Sequence, residues 1–511
     1  MAASMDSMFR LLAGKRKMHR IVLRSGVIMN VKRWLATVAN YQTTVDNSLT
    51  ELKTFRKHPG IMRTKNVKLP DALLQTLNRY LADKPMKQLA PRAKALSNYL
   101  WSRQLPLEEA QLRAKAQEYA QLQGVEDIDE DMLHSQDLPK DHKKKVASIM
   151  NKLRRHIYHW QPIRFDETTV CAYTMSRIAP NYATIYRVLH EIKKRVPDFS
   201  PEALLDFGSG IGTVSWAAHA LWGNTIKEFY CVDTSREMHD VAEALMKERQ
   251  TEDGESRNII KGVYFRHFLP MSLQKKYDLT ISAYSLLELP SRTDRLNTLR
   301  TLWRKTDQFL ILIECGTNEG YKTIMEARDF ILNDIQKEEE RNLLKRRVAE
   351  GVTREVAREE VGLVEHSTTL AGHVFAPCQH DQDCPRITDS SKTPCNFEQD
   401  FHHFSKREEI IKERFSYLVL RKGPRISGDD TGHWPRIVRP VLPRSRHVIC
   451  RLCCSNGQLE EAVITRAKHG RELYRCARYS AWGDLLPICR PQENVLPEQQ
   501  TDTEGLHSDS D

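Results

Sequence analysis

Apolar positions along the chain change their period near residue 200. From about residue 45 to 200 they recur every three to four positions with few breakers, as in 97–101 and 108–123, which predicts helices. Residues 182–196, closed by Pro197, predict one more helix. Beyond 200, short apolar runs alternate with amphipathic stretches. The runs at 204–206, 229–233, 263–266, 277–283 and 309–314 predict strands, and 215–221, 238–249 and 292–305 predict helices between them. Such alternation implies a parallel sheet that gathers ligands at the carboxyl ends of its strands. After Gly316-Thr317 a long charged helix is expected over about 321–360. Residues 373–403 lose regular periodicity, 415–420 return as a strand, and a linker rich in proline and arginine follows. Residues 447–453 and 459–465, joined through Ser455-Asn456-Gly457, have the form of a hairpin.

Length and charge narrow this picture. A chain of 511 residues has room for two or three domains, and its net charge of +11 favours an acidic partner, most simply nucleic acid. No apolar run has the length needed to cross a bilayer, so membrane insertion is not expected. Residues 1–40 hold the single acid Asp6 among Arg10, Lys15, Arg16, Lys17, Arg20, Arg24, Lys32 and Arg33, interleaved with apolar residues. That start looks like a mitochondrial transit peptide and places the protein in the matrix; a basic tail touching RNA is the alternative. Further basic groups lie at 143–145, 154–156, 345–347 and 436–478. The expected organisation is a transit peptide over 1–40 and a helical region over 41–200. An α/β domain then spans 201–425 with a cysteine-bearing insertion at 366–403. A basic linker with a small β-rich segment covers 426–490, and a disordered acidic tail covers 491–511.

The turn after the first predicted strand carries the clearest chemistry. Asp206 is followed by Gly208, Gly210 and Gly212 and then by a helix. Glycines there let the backbone turn sharply and lie against a ligand. A dinucleotide fingerprint would need glycine at Thr213, so the G-x-G-x-G form fits it poorly. The loop instead resembles the S-adenosylmethionine (SAM) loop of class I methyltransferases. Asp233, at the carboxyl end of the next strand, is placed to accept hydrogen bonds from ribose hydroxyls.

Eleven cysteines in a chain with a mitochondrial address do not suggest a disulfide framework. Cys171, Cys231 and Cys315 sit in apolar contexts and are expected to be core thiols. Cys378, Cys384 and Cys395 gather in a proline-bearing loop where packing gives them no reason to be. Their spacing is too loose for a zinc knuckle and is compatible with an iron–sulfur cluster, which needs a fourth thiolate from Cys450, Cys453 or Cys454. Zinc with Cys450-x-x-Cys453 as a half-site, or no metal at all, stay open on spacing alone.

Taken together, several stretches resemble one family. They are the loop from Asp206 to Gly212, Ser282-Ala283-Tyr284-Ser285-Leu286-Leu287-Glu288-Leu289-Pro290, Glu314-Cys315-Gly316-Thr317, the Cys378/Cys384/Cys395 insertion, and Leu473-Tyr474-Arg475-Cys476-Ala477-Arg478 with Trp482-Gly483-Asp484-Leu485. This set is similar to the methyltransferase-like protein 17 family of mitochondria and covers the chain from about Tyr173 to Pro487. The resemblance implies an assembly factor of the small mitoribosomal subunit that binds rRNA between head and body, with ribosomal RNA and proteins as partners and no DNA expected. It also implies a SAM-binding Rossmann-like core and a [4Fe–4S] cluster. By position Cys378, Cys384 and Cys395 match the first three cluster ligands and Cys453 best matches the fourth.

Catalysis is a separate matter. Amine methyltransferases of many families place Asp/Asn-Pro-Pro-aromatic after the fourth strand, where this chain has Ser282-Ala283-Tyr284-Ser285. Carbon-5 cytosine enzymes need a free nucleophilic cysteine, which a cluster ligand such as Cys378 cannot be. The third strand ends in Arg266-His267-Phe268 rather than the acid that often meets adenine. An assembly factor without catalytic residues is therefore favoured over an active rRNA methyltransferase, which is the alternative. The basic surface favours it over a redox-sensing regulator with a purely structural glycine loop.

Overall fold

The computed structural model describes residues 55–105, 108–122, 144, 145, 148, 162–248, 257–353, 356, 372–389, 393–405, 409–425 and 433–488. The expected transit peptide, the basic residues at 143 and 154–156 and the acidic tail lie outside the described residues.

Helices α1 (Asp71–Leu81), α2 (Met86–Ser102), α3 (Glu109–Leu122) and α4 (Glu167–Arg195) precede the sheet. The core then runs β1 (Ala203–Phe207), α5 (Thr213–Trp222), β2 (Glu228–Val232), α6 (Arg236–Met246), β3 (Val263–Arg266), β4 (Tyr277–Ala283), α7 (Arg292–Lys305) and β5 (Thr306–Cys315). Strands β3-β2-β1-β4-β5 are parallel neighbours, as the alternation of strands and helices requires. Beyond β5 the sheet turns antiparallel through β8 (Ile410–Lys422), which pairs with β5, β6 (Gly372–Ala376) and β7 (Phe397–His402).

Both faces of this sheet are covered, so each strand feeds two cores from alternate positions. Leu204, Phe309, Ile311, Tyr417 and Val419 join one core with α4, α5 and α6. Leu205, Leu310, Leu312, Leu418 and Leu420 join the other, with α7 and α8 (Asn318–Asp329). Side-chain caps fix where helices begin: Asp166 accepts from the Thr169 N–H at 2.8 Å, and Ser235, Ser291 and Thr317 do the same for α6, α7 and α8.

Three expectations need correction. The helix expected from residue 182 begins at Glu167 and passes through Pro180. The missing N–H costs that helix one bond, but the burial of residues on both sides of Pro180 outweighs it. The single charged helix expected over 321–360 is α8, a π-helical stretch over Phe330–Ile335 and α9 (Gln336–Ala349), which stops at Gly351 with φ +90°. The irregular insertion supplies β6, the short helix α10 (Pro385–Thr388) and β7, the strands buried against β8 rather than looped out.

A second sheet follows. β11 (His447–Cys453) and β12 (Leu459–Thr465) form the expected hairpin, flanked by β9 (Arg436–Ile437) and β10 (Leu442–Pro443). α11 (Arg466–Tyr479), kinked at Gly470, packs on it. Among its described residues, the linker ahead of the hairpin is partly packed rather than solvated throughout: Trp434, Arg436 and Ile437 are buried, whereas Arg444 and Arg446 are exposed. Arg436, the first of the basic residues grouped at 436–478, is fully enclosed. Its guanidinium donates to Glu191 on α4, to the Gly483 carbonyl at 2.7 Å and to the Pro377 carbonyl at 2.8 Å. Glu191 also accepts from the Tyr417 hydroxyl at 3.0 Å and lies 3.4 Å from Arg195. Burial opposes ionisation of Glu191, but Arg436 and Arg195 outweigh it and hold its pKa below the usual carboxylate value.

Removing one partner of a buried pair leaves the other charge uncompensated. Arg436→Ala is expected to lower stability by about 3–5 kcal/mol, read as a shifted urea midpoint, whereas Arg444→Ala on the exposed surface should leave the midpoint unchanged.

Candidate functional site

A cavity of about 470 Å³ opens at the carboxyl ends of the parallel strands. Its wall includes Phe207, Gly208, Gly210, Val232 and Asp233 from the ends of β1 and β2, and Ala283, Tyr284, Glu314 and Cys315 from the ends of β4 and β5. The Asp233 carboxylate accepts from the Gly210 N–H and the Ser235 N–H, both at 2.9 Å. Each oxygen thereby uses one lone pair and keeps another for a ligand.

The glycine loop has specific needs. Gly208 has φ +72°, and a Cβ there would lie 2.3 Å from Ser285 Cβ. Gly210 has φ +48°, and a Cβ there would meet nothing within 4 Å, so a side chain would enter open space at the cavity wall. Asp206 and Gly212 do not line the cavity. Gly212 starts α5 in a left-handed conformation. Asp206 is buried within β1 and neither carboxylate oxygen has a hydrogen-bond partner. Burial, with Asp233 nearby, pushes its pKa well up and favours the neutral acid.

Only part of the far wall was legible as a site: the stretch after β4 was singled out in the sequence, the residues from the helical region were not. Tyr284 follows β4 with φ +59°. Its hydroxyl meets Thr184 Oγ1 at 2.8 Å, and the Arg177 guanidinium lies 5.4 Å from its ring centroid. Arg177 in turn pairs with Glu413 at 2.7 Å. Ser282 and Ser285 hydroxyls lie 2.6 Å apart, and Ser285 donates to the Phe207 carbonyl. Glu288 faces the cavity and pairs with Arg103, from just past α2. Glu314 accepts from the Leu286 and Leu287 N–H groups at 2.9 and 3.3 Å. Arg103, Tyr173 and Arg177 come from the helical region and carry no local motif. Glu314 did carry a signal, being an acid at the carboxyl end of a parallel strand.

The second constellation is made of thiols. Cys378 follows β6, Cys384 precedes α10, Cys395 precedes β7, and Cys453 ends β11. The structure brings these four together in the core that packs against α7 and α8. The Cys378 and Cys453 sulfurs lie within 4.8 Å of each other, and Cys384 and Cys395 lie within electrostatic reach of both. The neighbouring Cys453 thiol, with His380 and Arg328 nearby, draws the Cys378 pKa well down despite burial, while that of Cys453 is pushed up. Tyr321 Oη lies 3.3 Å from Cys384 Sγ.

Cys450 and Cys454 belong to the separate core of the C-terminal sheet, with Val448, Leu452 and Leu473. The zinc half-site Cys450-x-x-Cys453 is thereby overturned: residues three apart on a strand point to opposite faces. His380 is the addition sequence reasoning missed. Its Nε2 lies 3.3 Å from Cys453 Sγ, and donor atoms of Cys378, His380 and Cys453 all lie within 4.8 Å of one another. The signal was Cys378-Gln379-His380, two donors one residue apart. Cys171, Cys231 and Cys315 are buried, as core thiols should be.

Burial raises the Glu314 pKa to about 8 from an unfolded value near 4.5. A raised pKa means the folded state binds the proton more tightly, so this contribution to stability is complete below pH 4.5 and is lost as pH climbs through about 8. Glu314→Gln keeps an oxygen for the two N–H groups. Urea midpoints measured across that interval should fall less steeply in the variant than in the unaltered protein.

Three similarities bear on this site. The family model described as "Mitochondrial small ribosomal subunit Rsm22" matches residues 167–342 and 350–487. The human "Ribosome assembly protein METTL17, mitochondrial" is 38% identical over 463 residues, covering 90% of this chain and 92% of that one. The Saccharomyces cerevisiae "Ribosome assembly protein RSM22, mitochondrial" is 23% identical, covering 68% of this chain and 71% of that one. Among solved structures, the magnesium protoporphyrin IX methyltransferase of Synechocystis PCC 6803 with bound SAH overlaps 54% of this chain and 95% of its own at 13% identity and a TM-score of 0.27, a likeness that supports no inference.

Proposed function

The chain belongs to the mitochondrial small ribosomal subunit Rsm22 family, and on that premise we propose that it assists assembly of the small subunit of the mitochondrial ribosome by binding its rRNA in the matrix. The relatives it matches are mitochondrial ribosome assembly proteins by name. Exposed Arg444 and Arg446 before β11, and Arg466, Lys468 and Arg471 on α11, offer cations to phosphate. In this reading the expected domain boundaries are adjusted: residues 372–425 complete the main sheet, and residues 433–488 form the basic module mounted on it.

The observation that carries the reading is the thiol group. Three buried cysteines and the partly buried Cys395, from the insertion and the hairpin, converge in one place, with one thiol already inclined to ionise. That donor set fits a [4Fe–4S] cluster, which takes four thiolates from loosely spaced segments. Cys378, Cys384, Cys395 and Cys453 would hold it. The bound cluster would supply a metal cross-link between the main sheet and the module that presents the arginines.

SAM occupies the cavity in this proposal, with Asp233 on the ribose and the loop at Gly208 and Gly210 against the ligand. Methyl transfer is not part of it. The polar groups at the end of β4 and just after it are already engaged within the protein: Ser282 with Ser285, Tyr284 with Thr184, and the cavity-facing Glu288 with Arg103.

Anaerobically purified protein should show the visible absorbance of an iron–sulfur cluster, and Cys453→Ser should lose it and bind small-subunit particles more weakly. Cys450→Ser, altered in the other core, should keep both properties. Stoichiometric zinc in colourless wild-type protein would replace the iron–sulfur assignment.

Calorimetry should detect SAM binding by the unaltered protein and none by Gly210→Trp, whose indole fills the open space at the loop. Transfer of labelled methyl groups from SAM to small-subunit rRNA would establish an active rRNA methyltransferase instead.

A further inference from the structure

His380 has no part in a cluster held by four cysteines, yet it is built like a metal ligand. It is buried, at 3% exposure. Its Nδ1 lies 3.1 Å from the Gln382 carbonyl oxygen, which can only accept. With Nδ1 donating to that carbonyl, Nε2 is the nitrogen that faces Cys453 Sγ, 3.3 Å away. Metal-binding histidines are commonly fixed in this way, with one nitrogen donating to a carbonyl and the other facing the ion.

The loop that carries His380 is itself held. Buried Arg328 donates from α8 to the carbonyls of His380 and Gln382. Gln382 packs so tightly against the hairpin turn that a Cβ on Gly457 would lie 2.3 Å from its Oε1. The backbone on either side of the imidazole is thus held from α8, next to the hairpin turn.

We propose that Cys378, Cys453 and His380 form a second mode of metal binding in the same pocket: a single zinc-like divalent ion bound without sulfide, with a third thiol of the group completing a tetrahedron. This rests on the reading of these cysteines as metal ligands. Around one tetrahedral ion, bonds of about 2.0–2.3 Å put donors roughly 3.3–3.8 Å apart. The three donor atoms here lie within 4.8 Å of one another, so closure takes about an ångström. A four-iron cluster spreads its sulfurs wider, because each binds a different iron. The two occupants therefore exclude each other, and only the single ion uses His380.

The test uses the full-length apoprotein under anaerobic conditions. Cobalt(II) should bind one per chain with thiolate charge-transfer and tetrahedral d–d absorption. His380→Ala should weaken that binding by at least about tenfold and alter the bands, while iron and sulfide still reconstitute a full cluster in the same variant. Zinc X-ray absorption on the unaltered protein, which needs no variant to fold, should show imidazole scattering beside sulfur. An all-sulfur shell, or cobalt binding unchanged by His380→Ala, overturns the inference and leaves the cluster reading intact. Loss of cluster and cobalt together in the variant also overturns it, since His380 would not then separate the two modes. Failure of the unaltered protein to take up iron and sulfide, with cobalt bound as described, would remove the cluster reading and keep this one.

Discussion

The buried pair between Glu191 and Arg436 is the constraint on which the rest of the structure turns. Glu191 sits on the long helix ahead of the sheet, and Arg436 begins the C-terminal module. Between them they engage Tyr417 of β8, Arg195, the Gly483 carbonyl and the carbonyl of Pro377 beside the first cysteine of the thiol group. Burying two charges is costly, and the cost is offset only where every remaining donor and acceptor is satisfied. The Glu191 carboxylate is engaged by Arg436, Arg195 and the Tyr417 hydroxyl, and the network ties together the sheet, the cysteine loop and the hairpin. The thiol group then has its geometry imposed from outside before any ion arrives.

Much of the α/β core was legible because its signals are local. Period-two and period-3.6 apolar patterns located the parallel strands and the helices between them, and the glycine loop marked the cavity. What was not legible depends on distant partners. β6 is buried on both faces over a short run, and β7 alternates but carries the polar Gln399 on its buried face between Phe397 and Phe401, so neither gives a strong apolar signal. Arg436 looked like a phosphate ligand because a sequence does not display the glutamate 245 positions away that neutralises it. Arg177 and Tyr284 form the far wall only once α4 is laid across the strand ends.

The choice among Cys450, Cys453 and Cys454 shows the boundary between the two kinds of information. Strand alternation along β11 was available from the apolar pattern, and it sends Val448, Cys450 and Leu452 to one face and Cys453 to the other. Which face meets the main sheet was not available, because that depends on how the hairpin docks. Asp206 is a related case. Its position ahead of the glycines suggested a ligand contact, whereas the fold encloses it within β1 and leaves the adjacent strand's Asp233 to face the cavity.

The order of the cysteines along the chain has a consequence for biogenesis. Three of the four converge from the segment before β8, and the fourth arrives only with the hairpin, close to the end of the described chain. A polypeptide that enters a compartment or leaves a ribosome amino end first cannot close the thiol group until nearly all of it has arrived. A chain that stops before Cys453 carries only three of the four thiols.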